Sequence, residues 1–190
     1  MSKVSVIFGV NGQDGSYLSE HLLGKNHTVI GVCRRSSVNT QERICHIKND
    51  SFYVIEGDIT DFSSVSGIIQ QYHPDEIYNL AAQSHVMTSF NEPIHTLTVN
   101  TIGVFNILES IRKFSPNTRF LQASTSEMFG SSYDVKDGKK IQDENTRFVP
   151  VSPYAVSKVA AHHLVDIYRD AYNLFVCSFI GLNHESPRRG

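Results

Sequence analysis

Cysteine is scarce in this chain, which has three cysteines in 190 residues. An odd number of cysteines excludes a fully paired disulfide framework. The apolar runs around Cys33 and Cys177 predict that both thiols are small buried side chains. Cys45 stands next to His46, but neither has a second ligand pair at the spacings typical of metal sites. We therefore expect no bound metal.

Long apolar segments and an excess of charge of one sign are also missing. No run of roughly 18 apolar residues occurs, and the apolar start at residues 4–9 is too short for a secretory signal. With 17 basic and 19 acidic residues the net charge is −2, so no positive field would collect nucleic acid or anionic lipid. We expect a single soluble, cytoplasmic domain that binds neither nucleic acid nor membrane.

Short apolar strands alternate along the chain with stretches of helical period. This alternation is typical of βαβ units, which build a parallel sheet covered by helices on both faces. The predicted strands are 3–8, 28–33, 51–55, 76–80, 119–123 and 174–180. The predicted helices are 15–23, 41–47, 61–72, 94–114 and 152–172. We therefore predict a doubly wound, Rossmann-like α/β fold with at least six parallel strands.

Local signals refine this outline. Helix starts are indicated by Ser16 beside a glycine loop, by Asp61, and by Ser152 followed by proline. Residues 131–147 are polar with little apolar period, which predicts a surface insertion or flap. The polar segment 187–190 after the last strand has the composition of a loop that leads into further structure.

Three glycines fall where the first strand turns into the first helix. The pattern Gly9-x-x-Gly12-x-x-Gly15 permits close backbone approach to a pyrophosphate at a helix N-terminus. Three glycines in a tight turn could also be purely structural. Their position between strand and helix favours a dinucleotide site.

The residues after the second strand distinguish the two common dinucleotides. NAD-binding folds usually place a carboxylate there for the ribose diol, whereas this chain has Arg34 and Arg35 followed by Ser36 and Ser37. Guanidinium and hydroxyl groups suit the 2′-phosphate of NADP, although a solvated basic turn is the alternative. Asp58, after the third strand, could accept a hydrogen bond from an adenine amino group or cap the next helix.

Tyr154 and Lys158 stand one turn apart on one face of the last predicted helix. A nearby ammonium favours the phenolate, so we expect Lys158 to lower the pKa of Tyr154 toward the range of a general base. Such pairs are common on amphipathic helices. The position of this pair favours a catalytic role, because it follows the fifth strand of a fold that opens with a nucleotide loop.

Three hydroxyl groups and one carboxylate follow the carboxyl end of the fifth predicted strand, in the Ser-Thr-Ser-Glu segment 124–127. Ligands of doubly wound sheets bind at this edge, although a helix N-cap cluster with a solvated glutamate is the alternative. Asn100 could be a buried polar group that satisfies backbone, and His85 alone more often makes a structural hydrogen bond.

Together and in this order, these features resemble the extended branch of the short-chain dehydrogenase/reductase superfamily. Within that branch the chain is most similar to the GDP-mannose dehydratases and their close relatives. The similarity rests on segments 12–18 (Gly-Gln-Asp-Gly-Ser-Tyr-Leu), 34–37 (Arg-Arg-Ser-Ser), 81–86 (Ala-Ala-Gln-Ser-His-Val), 122–127 (Gln-Ala-Ser-Thr-Ser-Glu) and 183–190 (Asn-His-Glu-Ser-Pro-Arg-Arg-Gly). The last segment is the most specific.

The resemblance implies a catalytic role for four residues. Thr125 would hold the C4 oxygen of the sugar of GDP-mannose, Tyr154 would take its proton, and Lys158 would bind the nicotinamide ribose. The C4 hydride would pass to NADP⁺. Glu127 would then remove the C5 proton so that the C6 hydroxyl leaves as water, after which the hydride would return to C6 and a proton to C5. The net reaction of this lyase is dehydration to GDP-4-keto-6-deoxy-mannose.

The same resemblance implies the binding residues. NADP would be bound by Gly9, Asn11, Gly12, Gln13, Asp14, Gly15, Arg34, Arg35, Ser36, Asp58, Ile59, Leu80, Ala81, Ala82, Ser84, Tyr154, Lys158, His184 and Arg189. The substrate would be bound by Ser84, Thr125, Ser126, Glu127, Tyr154 and Asn183. The Arg34-Arg35 segment resembles a loop that reaches a neighbouring subunit, which implies a homo-oligomer, a dimer or a tetramer.

The chain departs from the family in Asn11, in residues 128–129 and in the length of segment 131–147, and none of these departures removes a catalytic group. Family members continue for roughly a second half, so residues 1–190 would be the NADP-binding domain at the N-terminal part of a longer enzyme, without its substrate domain. Two alternatives stay open. One is a dehydratase or epimerase for another nucleotide sugar, and the other is a non-catalytic NADP-binding fragment.

Overall fold

The computed structural model describes residues 2–189 and confirms the predicted parallel sheet. The strands, in chain order, are β1 (Val4–Phe8), β2 (Thr28–Cys33), β3 (Phe52–Glu56), β4 (Glu76–Asn79), β5 (Arg119–Thr125), β6 (Asp134–Lys136), β7 (Lys139–Ile141) and β8 (Val176–Gly181). Six of them form one sheet in the order β3-β2-β1-β4-β5-β8, and every pair in it is parallel. The strand order reverses between β1 and β4, which opens a crevice at their carboxyl ends.

Helices cover both faces of this sheet, as predicted. They are α1 (Gln13–Gly24), α2 (Phe62–Tyr72), α3 (Val86–Asn91), α4 (Pro93–Leu97), α5 (Gly103–Phe114) and α6 (Pro153–Tyr172). The apolar side chains of β1 alternate between the faces, because successive residues of a strand point to opposite sides. Val6 and Phe8 pack with α2, α5 and α6, whereas Ile7 packs with Leu22 of α1.

The helical stretch between β4 and β5 is less regular than the sequence indicates. The predicted helix 94–114 is interrupted by a π-helical turn, Thr98–Ile102, between α4 and α5. The short helix α3 was not predicted, and the ring of His85 caps it by accepting a hydrogen bond from Thr88 N at 3.2 Å. His85 therefore has the structural role that was expected for a lone histidine.

The predicted helix 41–47 is wrong. The segment forms successive turns, in which Ile44 N donates to Gln41 O and Ile47 N donates to Ile44 O at 3.0 Å each. Burial of Ile44, which is 3% exposed, anchors these turns against the α1 face of the sheet. The apolar spacing that resembled a helix therefore reflects this anchoring.

Two of the three predicted helix starts are confirmed. The side chain of Asp61 accepts from Ser63 N at 2.8 Å, and Ser152 accepts from Ala155 N at 3.0 Å ahead of Pro153 at the first helical position. Ser16 does not start α1. The helix begins at Gln13, and the Ser16 hydroxyl donates to the carbonyl of Gln13 at 2.7 Å.

The polar segment 131–147 is a surface flap built on the β6–β7 hairpin. Its turn residues Asp137 and Gly138 both have positive φ, 51° and 71°, as a two-residue type I′ turn requires. The residues of β6 are all exposed.

Cys33 is buried as expected, but Cys177 is exposed. Cys177 lies on β8, the edge strand of the sheet, and α1 packs over β1 and β2, away from that edge. A thiol in an apolar run is therefore buried or exposed according to the position of its strand. Among residues 2–189, no helix combines the length and apolar character needed to cross a membrane.

Candidate active site

The glycine loop after β1 is packed too tightly for side chains. Gly9 has φ +82°, and a Cβ there would lie 2.7 Å from the backbone N of Ala81. A Cβ at Gly15 would lie 2.4 Å from Gly9 O. Helix α1 starts directly behind this loop with Gly12 as its N-cap, so no cap side chain competes for the first amides of the helix. This arrangement suits a bound phosphate group.

A cavity of about 540 Å³ opens beside the loop, at the carboxyl ends of β1, β2 and β4. The predicted cofactor residues in its lining are Gly9, Asn11, Gly12, Arg34, Ser36, Asp58, Ile59, Leu80, Ala81, Ala82 and Ser84. Arg35 is absent from this lining and lines an adjoining hollow along segment 33–41, which shares Arg34, Ser36 and Thr40 with the cavity. Gly15 packs beneath the loop. The cavity therefore brings one of the two predicted arginines to the nucleotide site.

Eight residues of this lining are absent from the predicted binding set: Phe8, Val32, Thr40, Gly57, Gln83, His85, His95 and Val99. His95 and Val99 stand four residues apart on the stretch that joins α4 to the π-helical turn, so both reach the same side. That spacing is a signal that could have identified them, whereas Thr40 lies in an irregular loop without any pattern.

Asp58 lines the cavity but is partly engaged in its own turn. Its Oδ1 accepts hydrogen bonds from Thr60 N at 2.9 Å and from Thr60 Oγ1 at 2.7 Å. The N-cap of α2 is Asp61, so Asp58 does not cap that helix. Its carboxylate is therefore placed at the site where an adenine amino group could donate to it.

A second cavity, of about 290 Å³, adjoins the first one through the shared residues Leu80, Ala82 and Ser84. The other predicted residues in its lining are Gln13, Asp14, Thr125, Tyr154, Lys158, Asn183, His184 and Arg189. Residues from β5, α6, α1 and the C-terminal segment thus meet at one place. The two cavities together form one continuous groove over the switch point of the sheet.

Ser126 and Glu127 follow Thr125 on a short 3₁₀ turn, Ser126–Phe129. The amide of Glu127 donates to Thr125 Oγ1 at 3.2 Å, so the threonine side chain caps this turn. Within the described residues, both stand outside the lining of the two cavities. The Glu127 carboxylate is nevertheless close enough to Tyr154 for its negative charge to contribute to the raised pKa of that phenol.

Lys158 and Tyr154 are both buried, at 4% and 7% exposed. Burial lowers the pKa of Lys158 to about 8, and its Nζ donates to Ala123 O at 2.6 Å. Burial raises the pKa of Tyr154, and a hydrogen bond with Thr125 partly opposes that increase. The expected lowering of the Tyr154 pKa is therefore wrong for this geometry, because desolvation outweighs any attraction from the ammonium.

Asn100 is a structural residue of the site. It lies in the π-helical turn and is 2% exposed. Its Oδ1 accepts from Gln83 N at 2.9 Å, and its Nδ2 donates to Gln83 O and to Ser157 Oγ, each at 3.0 Å. These bonds connect the loop after β4 to α6. They also satisfy backbone groups, which is the role that the sequence analysis suggested for a buried Asn100. π-Helical turns often occur at such functional places.

The C-terminal segment folds over the start of α1. His184 Nε2 is 2.7 Å from Asp14 Oδ1, and this hydrogen bond raises the pKa of His184. Ser186 donates to Gln13 Oε1 at 2.9 Å, and Arg189 donates to His184 O at 2.8 Å. This segment therefore closes one side of the second cavity.

Comparison with known proteins shows the family. A sequence model of the GDP-mannose 4,6 dehydratase family matches residues 6–190. The chain belongs to this family. It is 46% identical over 198 residues to a GDP-mannose 4,6-dehydratase of Vibrio cholerae, covering 100% of this chain and 52% of that protein. It is also 46% identical over 199 residues to GDP-mannose 4,6 dehydratase 2 of Arabidopsis thaliana, covering 99% and 52%.

The chain thus spans about half the length of the curated family members it matches. Solved structures agree on the fold. UDP-glucose 4-epimerase of Thermotoga maritima, determined with UDP-glucose, has a TM-score of 0.85 at 25% identity and covers 97% of this chain and 57% of that one. A dTDP-glucose 4,6-dehydratase of Bacillus anthracis has a TM-score of 0.83 at 24% identity, with coverage of 99% and 57%.

The buried lysine of this family member leads to a stability prediction. In the absence of nucleotide, Lys158→Met should raise the free energy of unfolding at pH 7 by about 2 kcal/mol, because it removes a desolvated ammonium and sacrifices one hydrogen bond. The folded pKa of Lys158 is about 8 and the ordinary value is 10.5. The unfolded chain therefore binds more protons between these values, and the penalty that Lys158 imposes disappears as the pH rises through that range.

Urea denaturation at pH 7 and at pH 10 measures this effect, with the exposed Lys25 replaced by Met as the matched control. The control should change stability by less than about 0.5 kcal/mol at either pH. A Lys158→Met protein that is less stable than the parent at pH 7 would contradict the assignment.

Proposed function

We propose that the protein is an NADP-dependent GDP-mannose 4,6-dehydratase, and that residues 1–190 form its NADP-binding domain. The observation that carries the proposal is Glu127, a carboxylate two residues beyond Thr125 whose negative charge acts on Tyr154. Oxidation or epimerisation at C4 needs a hydroxyl, a phenol and a lysine. Elimination across C5 and C6 needs an additional base, and Glu127 can supply it.

NADP is the cofactor that we propose for the first cavity. Arg34 and Ser36 line it near the end of β2, where a 2′-phosphate would lie, and the glycine loop and the start of α1 suit the pyrophosphate. When bound, NADP⁺ would supply the hydride chemistry, as acceptor of the hydride from C4 of the sugar and later as its donor to C6. Lys158 would bind the nicotinamide ribose, because it lines the second cavity beside Tyr154.

The protein's own groups would move the protons. Tyr154 would take the proton of the C4 hydroxyl while Thr125 holds the C4 oxygen. Burial keeps the phenol of Tyr154 protonated, so its deprotonation requires a nearby positive charge, which the buried Lys158 can provide once it is protonated. The resulting C4 ketone acidifies the C5 proton. Glu127 would remove this proton and assist the departure of the C6 hydroxyl as water. A proton from solvent would be delivered to C5 when the hydride returns to C6.

Isotope labelling tests the proposed reaction. The protein is incubated with GDP-mannose and NADP⁺ in heavy water, and the nucleotide sugar is analysed by mass spectrometry. We expect loss of one water together with uptake of one deuteron at C5. Deuterium uptake without loss of water, or inversion at C4, would contradict a dehydratase and favour a different reaction on a nucleotide sugar.

Glu127→Gln should separate the half-reactions. The variant should bind NADP⁺ normally and reduce it slowly with GDP-mannose, because the first step does not use the carboxylate. Release of the dehydrated sugar should fall by about a hundredfold or more. Absorbance at the reduced nicotinamide band and product chromatography measure the two steps. Glu144→Gln, an exposed change in the flap, is the matched control. Full turnover by Glu127→Gln would show that Glu127 is not part of the mechanism.

The cofactor preference should depend on one of the two adjacent arginines. Arg34→Ser should raise the Kd for NADP about 10- to 100-fold, as expected for loss of a charge-assisted hydrogen bond to phosphate, and should leave the Kd for NAD unchanged. Arg35→Ser is the control, because Arg35, unlike Arg34, does not line the first cavity. Titration of nicotinamide fluorescence measures both constants. Equal losses for the two variants would contradict the assignment.

A homo-oligomer and a cytoplasmic location belong to the same proposal. Apolar side chains stand exposed around α3, α4 and the start of α6, including Met87 at 66%, Ile94 at 75% and Val156 at 48%, and such a patch suits a second copy of the protein. The free thiols of Cys33, Cys45 and Cys177 suit a reducing compartment.

Light scattering tests the homo-oligomer. The mass should be two or four times that of one chain, and Ile94→Glu should reduce it because a charge would be buried at the contact. Val135→Glu, an equally exposed change on the hairpin, where Val135 is 64% exposed, should have no effect. A monomeric parent protein would contradict this part of the proposal.

A further inference from the structure

We propose that His162 is a positioning residue for the two catalytic groups on segment 124–129, Thr125 and Glu127. It braces this segment against α6 from both ends. The consequence for turnover rests on the proposed function, whereas the positioning itself does not.

The upstream brace is a hydrogen bond. Ser124 Oγ lies 2.9 Å from His162 Nδ1, and Ser124 is 6% exposed. The preceding residue of β5 makes the other tie to α6, because Ala123 O accepts from Lys158 Nζ. Two consecutive residues at the end of the strand are thus bound to side chains one turn apart on the helix.

The downstream brace is aromatic. The rings of His162 and Phe148 meet edge to face, with centroids 5.3 Å apart and planes at 86°. Phe148 in turn packs on Phe129, with centroids 5.3 Å apart. Phe129 is 3% exposed and ends the 3₁₀ turn that carries Glu127. In addition, Val149 N donates to Met128 O at 3.0 Å, which holds the segment after Phe148 against that turn.

His162 lies on the same helix as Tyr154 and Lys158, two turns and one turn beyond them. Contacts from His162 therefore set the distance between the groups on α6 and the groups on segment 124–129. The helix itself has independent anchors, namely the Ser152 cap and the bond from Asn100 to Ser157. Loss of His162 should therefore loosen the segment and leave α6 in place.

Three variants separate the two braces. His162→Phe keeps a ring against Phe148 and removes the hydrogen bond. His162→Asn keeps an acceptor near the position of Nδ1 and removes the ring. Ser124→Ala removes the hydroxyl with the smallest change in volume, so it serves if the histidine variants fold poorly. His163→Phe is the matched control, because His163 is an exposed neighbour whose ring is 5.9 Å from that of Phe148.

Hydrogen exchange followed by mass spectrometry tests the positioning without any turnover. Amides of residues 124–130 should exchange about tenfold faster in His162→Phe and in Ser124→Ala, since one anchoring hydrogen bond is lost. Amides of α1 should keep the parent rate, and His163→Phe should match the parent throughout. Unchanged exchange of residues 124–130 in both variants would overturn the proposal.

Steady-state kinetics test the catalytic consequence. Misplaced Thr125 and Glu127 should lower kcat for GDP-mannose about tenfold in His162→Phe, with the KM and the Kd for NADP within twofold of the parent, and His162→Asn should recover part of the loss. An unchanged kcat in a protein with faster exchange would overturn the catalytic role. If the parent protein does not act on GDP-mannose, the proposed function fails while the exchange experiment still decides the positioning of the segment.

Discussion

The close approach of two backbone turns determines where this protein can hold a ligand. Strands β1 and β4 are adjacent and parallel, with Phe8 paired to Asn79, so the turns that leave them at the same edge converge. Gly9 accommodates this convergence because it has no Cβ to collide with Ala81. The chain then reverses into α1 on one side and into the loop 80–85 on the other. The groove between them, and the groups gathered along it, depend on that single contact.

A chain of buried polar groups extends from this contact to the candidate active site. Asn79 Nδ2 donates to Gln122 Oε1 at 2.8 Å, and Gln122 Nε2 donates to Ala123 O at 2.7 Å. The same carbonyl accepts from Lys158 Nζ. Asn79 and Gln122 are 0% and 1% exposed, so each bond forms in a region of low dielectric, where such bonds reinforce one another. The lysine is therefore oriented by the centre of the sheet as well as by its own helix.

Sequence patterns predicted the regular parts of the fold well. Strands β1 and β2 are apolar runs because both of their faces are buried, and the cap residues Asp61 and Ser152 identify their helices through local hydrogen bonds. The same patterns could not predict features that depend on distant contacts. The turns at 41–47 keep a helix-like spacing because Ile44 and Ile47 both pack against the α1 face of the sheet, and the exposure of Cys177 follows from the strand order.

The candidate site also combines features that local sequence patterns predicted with features that depend on distant contacts. Motif spacing indicated Thr125, Tyr154 and Lys158, and one cavity collects all three. Spacing could not show that Arg34 lines the first cavity while Arg35 lines the hollow beside it and not the cavity, since neighbouring residues in an irregular loop have no fixed directions. Nor could a charge rule show that burial would raise the pKa of Tyr154, because desolvation depends on what the rest of the chain places around the phenol.

The π-helical turn at Thr98–Ile102 makes the length of this helical stretch as important as its composition. Such a turn contains one residue more than a regular α-helix needs, and that extra residue sets the direction of the Asn100 amide toward Gln83 and Ser157. Removing one residue between α4 and Asn100 would restore a regular helix and rotate this amide by about 100° around the axis. The stretch can therefore accept changes of side chain on its outer face, whereas a change in the number of residues would disconnect the loop after β4 from α6.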